Sequence, residues 1–141
     1  MSQTAALFKI GEVAAQSDLS VKTIRYYEEI GLLTPTVERS PDSNYRLFKP
    51  TIFNRLSFIR RSQALGLTLQ EIRNILVIHD QGQLPCGEVK LHLEAKVDDI
   101  THQIEQLETL RSELQGILSG WQESPSEERI ARTICPNLQT P

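Results

Sequence analysis

Cysteine, methionine and tryptophan are scarce in this chain of 141 residues, which holds two, one and one. Two cysteines, Cys86 and Cys135, build no disulfide framework. They fit a reducing, cytoplasmic setting in which both stay thiols. No apolar run approaches the ~20 residues that span a bilayer, and Met1 to Leu7 lacks the cationic and apolar regions of a signal peptide, so no membrane partner is expected. Aromatic residues make up 6% and hydrophobic residues 39%, low for a compact globule and ordinary for a chain rich in exposed helix. A strong excess of one charge is also missing: 15 Lys/Arg face 18 Asp/Glu, so bulk charge does not coat nucleic acid. The three histidines, His79, His92 and His102, have no H-E-x-x-H spacing, and no glycine-rich phosphate loop is present. No Ser/His/Asp or Cys/His grouping lies close in sequence either. No enzyme is expected, and His92 and His102 read as positions on a solvated helix face.

What charge there is divides unevenly. Residues 1–80 hold ten Lys/Arg against eight Asp/Glu, and residues 81–141 hold five against ten. That asymmetry suits a first half facing nucleic acid and a second half with another task.

Ile10, Val13 and Ala14 form an apolar stripe at helical spacing, broken at Asp18 and Leu19. Ser20 is an N-cap for a second helix to about Ile30, which Gly31 closes as a C′ residue. Pro41-Asp42-Ser43-Asn44 is turn chemistry between two short β-capable runs, which predicts a hairpin. Pro50 opens a third helix to about Leu65, stopped by Gly66, and Thr68-Leu69-Gln70-Glu71 is a capping box for a fourth, to about His79. The segment 81–85 reads as a hinge. From Cys86 to about Gly120 nothing breaks a helix, and Val97, Ile100, Ile104, Leu107, Leu114, Leu118 and Trp121 alternate in steps of three and four, interrupted at Arg111. Such a heptad seam needs a partner helix, and a second copy of the chain is the most economical one. The expected domains are 1–80, the hinge 81–85, a dimerisation helix 86–121, and a polar tail 122–141.

The second helix carries Lys22, Thr23, Arg25, Tyr26 and Tyr27 near its start, with Ile24 available for the core. Basic and hydroxyl groups at the head of the second helix of a helix-turn-helix are where major-groove and phosphate contacts arise. The hairpin adds Arg39, Asn44, Tyr45 and Arg46, and the third helix adds Arg55, Arg60 and Arg61. Together they predict binding to double-stranded DNA.

Lys9-Ile10-Gly11-Glu12-Val13-Ala14, Thr23-Ile24-Arg25-Tyr26-Tyr27-Glu28, Gly31-Leu32-Leu33 and Asn44-Tyr45-Arg46 resemble, in order and spacing, the MerR family of transcription regulators. The resemblance runs from about Phe8 through the long helix. It implies a mainly α fold: a winged helix-turn-helix with a small β-hairpin wing, then a long helix pairing as an antiparallel coiled coil in a homodimer. It also implies an activator that kinks and untwists an over-long promoter spacer so that RNA polymerase can engage, which is specificity by deformation.

Pro85-Cys86 at the helix head and Cys135-Pro136 after it resemble the heavy-metal-responsive branch, in which the head cysteine of one protomer joins loop cysteines of the other. Independently, soft thiolates select Hg(II), Cu(I), Zn(II), Cd(II) or Pb(II), and a helix N-terminus favours the thiolate of Cys86. Trp121 stands where the family has its other loop cysteine. The resemblance then implies a site built on Cys86 and Cys135, with Hg(II) favoured; Zn(II) would need His79 or a carboxylate to complete four ligands. The rivals are a redox sensor closing a Cys86–Cys135 disulfide between subunits, and an architectural or repressing DNA-binding protein without a ligand.

Overall fold

The computed structural model describes residues 6–42 and 45–140. Its elements run α1 (Ile10–Ser17), α2 (Val21–Glu29), a 3-10 turn (Thr34–Thr36), β1 (Val37–Arg39), β2 (Arg46–Phe48), α3 (Thr51–Ala64), α4 (Leu69–Asp80), α5 (Cys86–Ser119) and α6 (Glu127–Arg132). The chain divides into two compact units, Met1–Lys96 and Val97–Pro141. Among the described residues no helix is long and apolar enough to cross a membrane.

In the first unit, local signals set the elements and an apolar core joins them. Ser20 caps α2, its Oγ accepting the Thr23 amide at 3.0 Å. At the other end the Leu32 amide reaches the Tyr27 carbonyl and the Gly31 amide the Glu28 carbonyl, with Gly31 at φ 82°. That is a Schellman closure, and it needs the left-handed backbone that glycine adopts without a Cβ penalty. β1 and β2 pair antiparallel, Val37 opposite Phe48 and Arg39 opposite Arg46, and Phe8 bridges to Phe48 on the free edge. The capping box of α4 forms as its sequence predicts: Thr68 Oγ1 accepts the Glu71 amide at 3.1 Å while the Thr68 amide donates to Glu71 Oε1 at 2.9 Å. Val13, Ile24, Leu33, Phe48, Ile52, Ile59, Ile72 and Ile75 are fully buried between these elements. Each hides an aliphatic or aromatic side chain, worth roughly 1.5–3 kcal/mol against exposure.

Three details differ from the sequence reading. Pro50 sits at the cap position of α3, one residue before the helix, in place of its first turn. His92 is not on a solvated face. Its Nδ1 lies 3.1 Å from Glu71 Oε2, and its Nε2 lies 3.2 Å from Glu88 Oε1 without hydrogen-bond alignment. Lys96 Nζ joins the same Glu71 at 3.0 Å, so the first three turns of α5 belong with the DNA-facing half. The tail holds a helix, α6, capped by Ser126.

α5 has no buried residue in the single chain. Val97, Ile100, Ile104, Leu107, Leu114 and Leu118 are all at least half exposed. Leu110, 50% exposed, supplies apolar surface beside Arg111, where the heptad pattern is interrupted.

Candidate nucleic-acid interface and thiol positions

On α2, helical phase sorts the predicted residues. Ile24 and Tyr27, three apart, face the core, which turns Lys22, Arg25 and Tyr26 outward. Tyr26 is 50% exposed. Thr23 is half-buried, its hydroxyl 2.8 Å from that of Ser20. Tyr27 is corrected from the DNA-facing set. Its ring is buried, its hydroxyl donates to Gln63 Oε1 at 2.5 Å, and burial raises its pKa against the opposing influence of Arg60. It seats α2 on α3.

An ion pair ties the wing to α2. Arg46 Nη1 lies 2.9 Å from Glu28 Oε1, with the Glu28 side chain largely buried. A cleft of about 300 Å³ opens beside that pair, lined by Arg25, Arg39, Tyr45 and Arg46. Residues from the recognition helix and from both hairpin strands therefore meet on one surface. Asn44, the remaining hairpin residue expected to touch DNA, lies outside the described residues.

Arg60 lines a separate groove of about 450 Å³ between α1 and α3, together with Arg61. Its Nη1 donates to the Ser17 carbonyl at 2.8 Å. A cation is stabilised there by the unpaired carbonyls of the α1 C-terminus. Arg55, grouped by sequence with Arg60 and Arg61 as a DNA-facing charge, is corrected: it is buried, bonded to Asp80 and to the Leu32 carbonyl. Glu28 is the residue the sequence reading missed. Its signal was a carboxylate three places after Arg25, on a helix meant for phosphate, which demands a cation to neutralise it.

The two thiols lie in different settings. Cys86 is the exposed first residue of α5, after Pro85. Cys135 is half-buried in the second unit, and its amide donates to Gln139 Oε1 at 3.1 Å. The loop that carries it is closed by a reciprocal pair: the Gln122 amide donates to Asn137 Oδ1 at 2.8 Å and Asn137 Nδ2 to the Gln122 carbonyl at 3.0 Å. Arg129 Nη2 adds a bond to the Pro136 carbonyl at 2.5 Å. Among the described residues, no group of three or more His, Cys, Asp or Glu side chains is arranged to hold a metal ion.

Residues 8–77 match the family model for MerR HTH family regulatory proteins, and residues 53–117 match the MerR, DNA binding model. The chain belongs to the MerR family. The mercuric resistance operon regulatory protein of Bacillus cereus is 34% identical over 133 residues, 94% of this chain and 96% of that protein. Among solved structures, the lead(II) complex of a transcription regulator from Ralstonia metallidurans superposes with a TM-score of 0.69 at 35% identity, over 86% of this chain and 92% of that one. The mercury(II) complex of the MerR regulator from Bacillus megaterium gives 0.60 at 32% identity, over 93% and 96%. As a MerR-family chain this is a DNA-binding transcription regulator and not an enzyme, and the winged helix-turn-helix followed by a long helix is the fold its residues predict.

Proposed function

We propose that this MerR-family chain acts in the cytoplasm as a homodimeric, metal-responsive activator. Its effector is a thiophilic heavy-metal ion held by Cys86 of one protomer and Cys135 of the partner protomer. One observation carries the reading: the chain's two thiols stand at an exposed helix head and on a tail loop clasped into shape. Relatives that cover nearly its whole length are a mercuric resistance regulator and a mercury(II)-bound regulator. Two thiolates and no further cysteine suit a linear, two-coordinate soft ion, so Hg(II) leads. When bound, the ion supplies only a bond between the thiolates.

The chain's residues do the rest. Arg25, Tyr26, Lys22 and Thr23 on α2, with Arg39, Asn44, Tyr45 and Arg46 on the wing and Arg60 on α3, hold promoter DNA. The exposed stripe of α5 pairs with its copy, which places two reading helices on one duplex. Cys135, once engaged, would fasten its tail to the partner's helix head, next to the hinge that leads into the DNA-binding half. Promoter distortion, and through it engagement of RNA polymerase, would follow from movement at that hinge.

Titrating the reduced dimer with Hg(II), followed by thiolate-to-metal absorbance, should saturate at one ion per protomer. Cys86→Ser and Cys135→Ser should each abolish metal-dependent activation in a reporter assay yet leave DNA affinity within about threefold. A single mutant that still responds fully overturns the two-thiol site. The exposure of Cys86 also favours a second reading, a reversible disulfide between subunits. A covalent dimer on non-reducing gels after mild oxidation, with no metal response, would select it.

A further inference from the structure

Among the described residues, Arg55 is the one buried side chain with a permanent charge. It leaves α3 and spends its whole fork on one side-chain carboxylate and one backbone carbonyl. Nη1 and Nη2 donate to both carboxylate oxygens of Asp80, at 2.7 and 2.9 Å, and Nε donates to the Leu32 carbonyl. Asp80 is the last residue of α4, immediately before the linker that leads to α5. Leu32 is the residue whose amide closes the C-terminus of the recognition helix α2 onto Tyr27. A second arginine from α4, Arg73, donates to the Ile30 carbonyl in the same turn.

A buried ion pair is a poor device for stability, since apolar side chains of similar size do as well or better. A planar guanidinium bound at three corners does something apolar packing cannot. It fixes distance and angle between the groups it joins. Here those groups are the last residue of α4, where the hinge begins, and the residue that closes the reading helix. Apolar side chains in the same space would let the two slide.

We propose that Arg55 is a positioning residue for DNA distortion. Through Asp80 and the Leu32 carbonyl it makes the hinge and the recognition helix move together, so a shift of the hinge backbone is delivered to α2 in place of being absorbed in the linker. The inference rests on the function proposed above only for what sets the hinge moving. The link itself is a property of the first unit.

It can be tested without an effector by a double-mutant cycle. Gly82, in the linker, has φ 81° and no atom within 4 Å of where a Cβ would stand. Gly82→Ala therefore strains the hinge backbone without a clash. The second change is Asp80→Asn, which keeps the shape and breaks the charged fork. Arg55→Met with Asp80→Leu is the backup should Asp80→Asn fold poorly, because that exchange is tolerated where a lone buried charge is not. The full-length chain is measured against a duplex that the wild type selects from a randomised pool, with hydrogen exchange read at the Gly31 and Leu32 amides.

With the link intact, Gly82→Ala should change duplex affinity by about fivefold and speed exchange at Leu32; with the link broken, the change should fall below about twofold. Equal effects in both backgrounds, or no effect in either, overturn the proposal. A merely structural pair would lower the melting temperature and leave the Gly82 effect the same in both. Hg(II) alone is then added. An Asp80→Asn chain that binds Hg(II) as the wild type does but no longer unstacks the centre of the duplex supports the inference; one that unstacks it fully overturns it. A wild type blind to Hg(II) would count against the proposed effector, while the cycle would still decide the link.

Discussion

Tyr26 and Tyr27 are adjacent and chemically identical, yet one faces solvent and the other lies in the core bonded to Gln63. Both read as DNA-facing when judged by residue type. Phase against Ile24 separates them, because position i+3 on a helix shares a face with position i. The same phase leaves Arg25 outward beside the wing. Arg25→Ala should weaken specific DNA binding by ~1–3 kcal/mol and relax sequence preference, without changing oligomeric state. A gel-shift series with unchanged affinity would displace α2 as the reading helix. The arginines divide in a similar way. Arg60 stays exposed at the α1 C-terminus while Arg55 is buried, and phase separates them too, since Arg55 stands three places after Ile52 and four before Ile59 on the buried face of α3. Arg55 finds its partners 23 and 25 residues away.

At the scale of elements, caps and stops were legible and long-range partners were not. The Ser20 cap, the Gly31 closure and the Thr68–Glu71 box all stand where local chemistry puts them. α6 was legible too, in Ser126-Glu127-Glu128 followed by Arg129 and Arg132, a capping residue with acids first and bases last; the flanking prolines masked it. His92 had no such signal, because its partner Glu71 is 21 residues away on another helix. That contact has a measurable signature. The Thr68 amide and the Lys96 ammonium hold the Glu71 carboxyl down from its ordinary 4.5 to about 2. A depressed carboxyl contributes stability that is complete above about pH 4.5 and is lost as the pH falls toward 2. Glu71→Gln keeps an acceptor for Thr68 and loses the charge for Lys96 and His92. It should melt below the wild type at neutral pH, with the gap closing near pH 2. A gap that stays constant across an acid series of thermal melts would show that the charge is idle. For α5, Ile104→Asp would set a carboxylate into the proposed seam. The dimer dissociation constant in sedimentation should rise by about 100-fold or more, with DNA binding falling alongside. A mutant that remains dimeric would remove the seam.

For the whole molecule, charge divides the chain after residue 80 into a mildly basic and an acidic half, whereas contacts divide it into two units at Lys96, with the start of α5 in the first. The two are fastened by different chemistry. In the first, one carboxylate, Glu71 of α4, holds His92 and Lys96 at the start of α5. In the second, the clasp between Gln122 and Asn137 is made of amides, and its companion bond comes from a guanidinium. Amides do not titrate, and arginine keeps its proton up to about pH 12. The loop that presents Cys135 is therefore deaf to acidity, while the joint at Glu71 is not. An acid series carried below about pH 4.5 would loosen the joint between α4 and α5 before it disturbed the fastening of the loop that offers the thiol.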